Sequence, residues 1–333
     1  MNFPATPTDL FNFPSSFKGD VQIFHANNLS VGSFQQWIKP RGTTMAYMIA
    51  IGGGGGGGGG HGKNSGTAGG GGGGGACSGF SRLIIPTFLL PDSLYIQVGV
   101  GGLGGSGGTT TPAVAASAGG AGTNSFILFQ ATGSAPSVAN VLLVSNNTAP
   151  GGGGAGTTGA AGGAGSIPTI ATTAQISMLT PLGQFVANVG LVGIAGSGTA
   201  NGSTGNPATA WASIPLSAGA SGAGATSTNS NGGAITANSI LNTPFMNFTT
   251  AAGNVASGGT GGTSTDAAHG NAGVMLYAPF FQSGGAGGGS NVAGTAGNGG
   301  KGGIGCGGGG GGTGVTGGRG GDGGNGLVAI YSW

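Results

Sequence analysis

Few residues in this chain could do chemistry, and their spacing is unhelpful to it. Gly57-Gly58-Gly59-Gly60-His61-Gly62-Lys63 satisfies most of a phosphate-binding loop, in which backbone N–H groups cradle phosphate and the lysine reaches toward it. Asn64 stands where a Ser or Thr would hold magnesium, and Gly66 with Gly69–Gly75 leaves no helix to follow. Within a polyglycine run the glycine part of the motif is met by chance. His61–Ala68 instead reads as an exposed tip between two glycine segments. His25, His61 and His269 are isolated from one another and from Cys77 and Cys306, so no metal-ligand spacing exists. The acids are Asp9, Asp20, Asp92, Asp266 and Asp322, without a single Glu, so paired-carboxylate chemistry is poorly supplied. These residues predict no catalytic, metal or cofactor site, and a protein that is not an enzyme.

Cys77 closes the run Gly69–Gly75, and Cys306 opens Gly307–Gly312. If those segments are antiparallel neighbours, the two sulfurs lie at the same end. Two readings stay open: small buried apolar side chains, or a disulfide formed after release from a reducing cytoplasm.

The elements that must position these residues are strands. β-Branched and aromatic residues between turn signals predict strands at Val21–Phe24, Gln35–Ile38, Met45–Ile51, Arg82–Ile85, Leu94–Val100, Ser125–Gln130 and Val141–Ser145. Further strands are predicted at Ile176–Leu179, Gln184–Val189, Phe245–Thr249, Val274–Tyr277 and Leu327–Tyr331. No segment carries a helical period. The expected fold is all-β, a jelly-roll-like β-sandwich with glycine-rich insertions.

Glycine occupies 87 of 333 positions. Some runs are pure: Gly52–Gly60, Gly69–Gly75 and Gly307–Gly312. Others repeat every three residues, as in Gly317-Gly318-Arg319-Gly320-Gly321-Asp322-Gly323-Gly324-Asn325 and Gly299-Gly300-Lys301-Gly302-Gly303-Ile304. Three is the period of the polyproline-II helix. Collagen shares it but needs Pro, and no Pro follows Pro279. Such a helix has no internal hydrogen bonds, so each buried N–H must find another segment. Ordering glycine costs roughly 1–2 kcal/mol per residue, which about 1 kcal/mol per hydrogen bond only about offsets. The segments Gly52–Gly60, Gly69–Gly75, Gly284–Gly289, Gly299–Gly305, Gly307–Gly312 and Gly317–Gly326 are therefore expected to form a polyglycine-II lattice. Pure runs should sit inside it. Arg319, Asp322 and Asn325 should share one outward edge, as should Lys301 and Ile304.

Only 4% of residues are charged, against about 25% in ordinary domains. A net charge of +2 is too thin for nucleic acid. So little charge favours association, and a 37% hydrophobic content argues against ordinary disorder. No 18-residue apolar stretch predicts membrane insertion. The N-terminus lacks the basic and apolar regions of a secretory signal, so synthesis in a cytoplasm is expected. Residues 1–18 form an aromatic arm in which Asn2-Phe3-Pro4 recurs as Asn12-Phe13-Pro14. Phe3, Phe11, Phe13 and Phe17 either fold back on the chain's own core or dock on a neighbouring subunit. The expected divisions are 1–43, arm and first strands; 44–283, sandwich with glycine excursions; and 284–333, glycine helices and closing strand.

Trp37-Ile38-Lys39-Pro40-Arg41-Gly42, the strand Tyr47–Ile51 running into polyglycine, and Leu94-Tyr95-Ile96-Gln97-Val98-Gly99 before more glycine resemble bacteriophage glycine-rich structural and tail-fibre proteins. The ending Gly323-Gly324-Asn325-Gly326-Leu327-Val328-Ala329-Ile330-Tyr331-Ser332-Trp333 is similar to their closing strand. The resemblance implies a virion protein, a spike, fibre or capsid-decorating subunit. Its partners would be other virion proteins and copies of itself, with a trimer as one option, and a host surface receptor. By analogy with phage adhesins, receptor contacts would fall on loop tips, at His61, Lys63, Asn64, Ser65 and Thr67 and at Ser290 and Asn291. The alternatives are a non-viral polyglycine-II binding protein of the ice-binding kind, or an extracellular filament or wall protein.

Overall fold

The computed structural model describes residues 19–27, 34–64, 67–110, 113–131, 140–145, 152, 184–188, 190–197, 208–209, 215–236, 242–243, 246–247, 254–260, 266–277 and 280–333. The aromatic arm and the expected strand Ile176–Leu179 lie outside them. Among the described residues the chain is all-β, with a 3₁₀ turn at Thr87–Leu89.

Two antiparallel sheets share one core. In the first, the strands run Asp20–His25, Leu327–Ser332, Met45–Ile51, Phe80–Pro86, Gln184–Asn188. In the second they run Gln35–Ile38, Ser93–Gln97, Ser125–Leu128, Val141–Ser145. Met48, Ala50, Leu83, Ile85, Val328 and Ile330 of the first sheet meet Trp37, Leu94, Ile96, Ile127 and Leu143 of the second. The first sheet is also buried on its other face, where Tyr47, Ile49, Ile51, Leu327, Ala329 and Tyr331 pack with Leu216, Cys77, Ile304 and Cys306. Burial on both faces explains why MAYMIAI and LVAIYS read as continuous apolar runs.

The glycine runs leave these sheets without a break in pairing. Ile51 faces Leu327 in the sheet. Beyond it, the N–H groups of Gly54, Gly57 and Gly60 donate to the carbonyls of Gly324, Gly321 and Gly318, at 2.9, 2.8 and 2.9 Å. Ile51 faces Phe80 on its other side. There Gly55, Gly58 and His61 donate to Ala76, Gly73 and Gly70. Gly53, Gly56 and Gly59 donate to Thr123, Gly120 and Ser117, the segment leading into Ser125–Leu128. Every third N–H therefore points to the same neighbour, and consecutive N–H groups point to three different ones. This is the three-residue turn expected from the sequence period.

Other segments complete the shell. Gly102, Gly105 and Gly108 donate to the carbonyls of Gly54, Gly57 and Gly60, Gly308 and Gly311 to Gly55 and Gly58, and Gly152 to Gly56. The run Gly52–Gly60 thus has six neighbours and is buried throughout. Gly307–Gly312 is a second centre, bonded to residues from 55–58, 72–75, 217–220, 285–288, 297–300 and 318–321.

The triplet segment Gly317–Gly326 lies at the rim. Arg319 and Asn325 are exposed and Asp322 is half-buried, while the glycines between them are buried. Rim segments lack a full set of neighbours, and their X side chains supply the missing acceptors. Asn325 Oδ1 accepts the Gly101 N–H at 3.0 Å, Asp322 Oδ1 the Gly104 N–H at 2.8 Å, and Asn298 Oδ1 the Arg319 N–H at 2.8 Å.

Two expectations are corrected here. Lys301 is exposed as expected, but Ile304 is buried in the apolar cluster against the first sheet. The segment expected to be helical to Gly305 ends in a turn over Ile304 and Gly305, and φ of +68° at Gly305 is a backbone region that a side chain disfavours. That turn drives Ile304 inward. Ser290 and Asn291, expected on a loop tip, instead lead into the strand Asn291–Thr295, paired in parallel with Gly314–Thr316.

Candidate functional site

Two ends of the molecule offer surfaces, one at the far end of the glycine bundle and one at the opposite edge of the sheets. At the distal end, Gly314–Thr316 joins Asn291–Thr295 and the hairpin Thr109–Thr110/Ala113–Val114 in a small capping sheet. His61 and Lys63 enter beside it. Lys63 N–H donates to the Gly314 carbonyl at 2.8 Å, and the Thr313 hydroxyl donates to the His61 carbonyl at 2.8 Å. The Thr67 hydroxyl and N–H both donate to the Asn64 carbonyl, at 2.7 and 3.1 Å, closing the turn. A shallow cavity of about 430 Å³ is lined here by His61, Lys63, Asn64, Thr67, Thr109, Thr110 and Val114, among others.

The placement of Lys63 corrects the sequence reading. Expected on an exposed tip, it is 2% exposed. Its Nζ donates to the Thr67 carbonyl at 2.6 Å and the Thr226 carbonyl at 2.8 Å. The ammonium thus pins the tip to a distant segment, and burial lowers its pKa from the ordinary value. Asn64 and Thr67 are exposed and His61 is half-buried; Ser65 lies outside the described residues.

Ser290 and Asn291 are also corrected, since both are fully buried. The Ser290 hydroxyl accepts the Ser230 N–H at 2.7 Å, and Asn291 N–H donates to the Thr313 carbonyl at 2.9 Å. Neither presents a side chain to a partner. No local signal distinguishes them, because the polar residues that satisfy a buried backbone are the types also found on exposed loops.

The opposite, basal end is where Ile38, Pro40–Thr43 and Thr87–Asp92 converge. It lies beyond the Asp20–Ser332–Ala46–Ile85 edge of the first sheet, where the strand Asp20–His25 begins. Phe3, Phe11, Phe13 and Phe17 themselves lie outside the described residues. Phe88 is 79% exposed and Ile38 is 65% exposed. They flank a cavity of about 430 Å³ with Arg41 and Asp92. Its walls are fixed. Lys39 Nζ donates to the Leu90 carbonyl at 2.8 Å and pairs with Asp92 at 3.2 Å, and the Thr87 hydroxyl donates to the Thr43 carbonyl at 2.5 Å. Sequence reading missed this surface, because Ile38 and Phe88 look like core residues in strand-like segments.

Among the described residues, no three His, Cys, Asp or Glu converge in a way that could hold a metal. No described helix is long and apolar enough to cross a membrane. A family profile described as a glycine-rich domain matches residues 28–157. The match spans the second sheet and the first glycine runs, under half of the chain. No curated protein matches the sequence.

Proposed function

We propose that the chain is a structural subunit of a bacteriophage virion, a spike, fibre or capsid-decorating protein. It acts by assembly with copies of itself and with other virion proteins, and its distal tip meets a host surface receptor. It catalyses no reaction and works in the virion after synthesis in the host cytoplasm.

The observation that carries this reading is the contrast between the two ends. Phe88 and Ile38 stand exposed on a rigid base, and large exposed apolar side chains grouped on a surface mark protein contacts. The strand Asp20–His25, which follows the four phenylalanines of the arm in sequence, begins at the same end. The tip presents uncharged polar groups, Asn64 and Thr67, on a backbone anchored by Lys63. Between them stands a body held by backbone bonds, a spacer suited to keeping a contact surface away from its mount.

Deleting residues 1–18, or replacing Phe88 and Ile38 with Ser, should leave a folded body that fails to join particles. Incorporation at normal levels would overturn the assembly reading. Replacing Asn64 and Thr67 should alter host adsorption while particle yield is unchanged; unaltered adsorption would remove the receptor role from this tip.

A further inference from the structure

Cys77 and Cys306 belong to two segments that pair antiparallel. Ser78 N–H donates to the Gly305 carbonyl at 2.7 Å, and Gly75 N–H to the Gly308 carbonyl at 2.8 Å. These bonds bracket positions 77 and 306 and set the two residues opposite each other. Both side chains are buried in one apolar cluster with Ile51, Phe80 and Leu216, where the first sheet gives way to the glycine bundle. Each sulfur is held by a backbone donor: Cys77 Sγ accepts the Leu191 N–H at 2.9 Å, and Cys306 Sγ the Ser217 N–H at 3.4 Å. Both are thiols in this structure.

We infer that Cys77 and Cys306 are a latent cross-link site, closed by a low-molecular-weight disulfide such as oxidised glutathione once the protein leaves a reducing compartment. A disulfide needs its two backbones close together, and opposed positions between bracketing backbone hydrogen bonds bring the two residues together in that way. Local opening of the junction lets solvent reach the pair; one cysteine then ionises, and its thiolate attacks a sulfur of the small disulfide, forming a mixed disulfide and releasing one small thiol. The second cysteine thiolate attacks the protein-bound sulfur and releases the other. The protein loses two protons and two electrons as one S–S bond forms, and the small disulfide is reduced to two thiols. A cytoplasmic glutathione pool keeps such a pair reduced, and an oxidising exterior closes it. The bond would tie residues far apart in the chain at the junction of sheet and bundle. Constraint of so long a loop in the unfolded chain stabilises the folded one. The inference stands on this pairing and does not depend on the virion reading.

The test uses the full-length, folded protein. It is incubated with excess oxidised glutathione at increasing temperatures below its Tm, alkylated in denaturant and digested with trypsin without reduction. Cleavage after Lys63, Arg82, Lys301 and Arg319 should release peptide 64–82 joined to peptide 302–319. Alkylated thiols should fall from two to none. Tm should rise by roughly 5–10 °C and return on adding dithiothreitol. Two persisting thiols, glutathione retained on either cysteine, chains linked to one another, or a linked product with unchanged or lowered Tm would each overturn the inference.

Discussion

The two-sheet core and the glycine bundle solve the same problem with opposite materials. In the core, side chains do the packing: Trp37, Met48, Leu94, Ile96 and Ile127 are all fully buried between sheets. Backbone bonds there run to the flanking strands, and identity alternates every two residues. In the bundle the backbones themselves are the packing surface, and the N–H groups of an interior run point to three neighbouring segments in turn, with a period of three. The difference teaches where tolerance lies. A side-chain core is sensitive to losing atoms, whereas a backbone core is sensitive to gaining them.

The sharpest way to break that contrast is to add a single methyl. A Cβ on Gly57 would sit 2.0 Å from the Gly309 carbonyl oxygen, and one on Gly56 would sit 2.1 Å from the Leu103 carbonyl oxygen. No rotamer relieves a clash between backbones. Gly57→Ala should cost more than about 4 kcal/mol, the exceptional end of single substitutions, and abolish cooperative melting by calorimetry. A Tm within a few degrees of the parent would refute close backbone packing.

The opposite operation belongs to the sheets. Ile127→Ala removes atoms from a fully buried site and should cost about 2–5 kcal/mol, read from denaturant midpoints. A smaller loss than any glycine-to-alanine change in the bundle would support the contrast, and a reversed order would end it.

Legibility in the sequence follows the same division. Met45–Ile51 was readable because its residue types and its boundary with glycine agree. The lattice was readable because Gly-Gly-X repeats carry the polyproline-II period and no Pro follows Pro279, which leaves out collagen. What escaped was everything set by the neighbour count of a segment. Ile304 looks like Arg319 in a Gly-Gly-X repeat, yet a turn at Gly305 buries it. Lys63 looks like a solvent-exposed charge, yet the Thr226 carbonyl lies more than 160 residues away in sequence and within bonding distance in space. No local pattern encodes such a partner.

Alkali should act at the seam between the two regions. Burial raises the Cys77 thiol to about 12 and Cys306 well above its ordinary value, with the nearby Cys77 adding to the shift in Cys306. Unfolded thiols ionise near 8.5. The folded chain holds protons that the unfolded chain has lost, so this stabilisation is whole below that value and declines as pH rises toward 12. Under reducing conditions the decline should approach roughly 1.4 kcal/mol per pH unit for each thiol. Lys63, with its lowered pKa, contributes with the opposite sign. The comparison is therefore wild type against Cys77→Ala/Cys306→Ala, by denaturant melts from pH 8 to 11. Parallel pH profiles would contradict the buried-thiol account.

The smallest expected effect is at the rim. Asn325→Ala, which sequence reasoning alone would predict to be nearly silent, removes the acceptor for the Gly101 N–H. The site is exposed and water can replace the amide, so a loss of about 0.5–1 kcal/mol is expected. Hydrogen exchange should accelerate at Gly101 and leave Gly57 unchanged. Equal acceleration at both would show that rim and interior are not distinct.

The unbroken pairing from sheet into bundle also governs how such a body could change its length. One residue removed from Gly52–Gly60 would turn everything beyond it by a third of a revolution, sending each donor to the wrong partner. Three residues removed would restore the phase, provided the facing stretches of 70–76 and 318–324 shortened with it. The spacer can therefore lengthen or shorten only by whole turns taken in concert around the bundle, like a gear train that meshes at integral teeth. Variation among natural forms should appear as matched three-codon steps, while the capping sheet and the basal sheets keep their spacing to the residue.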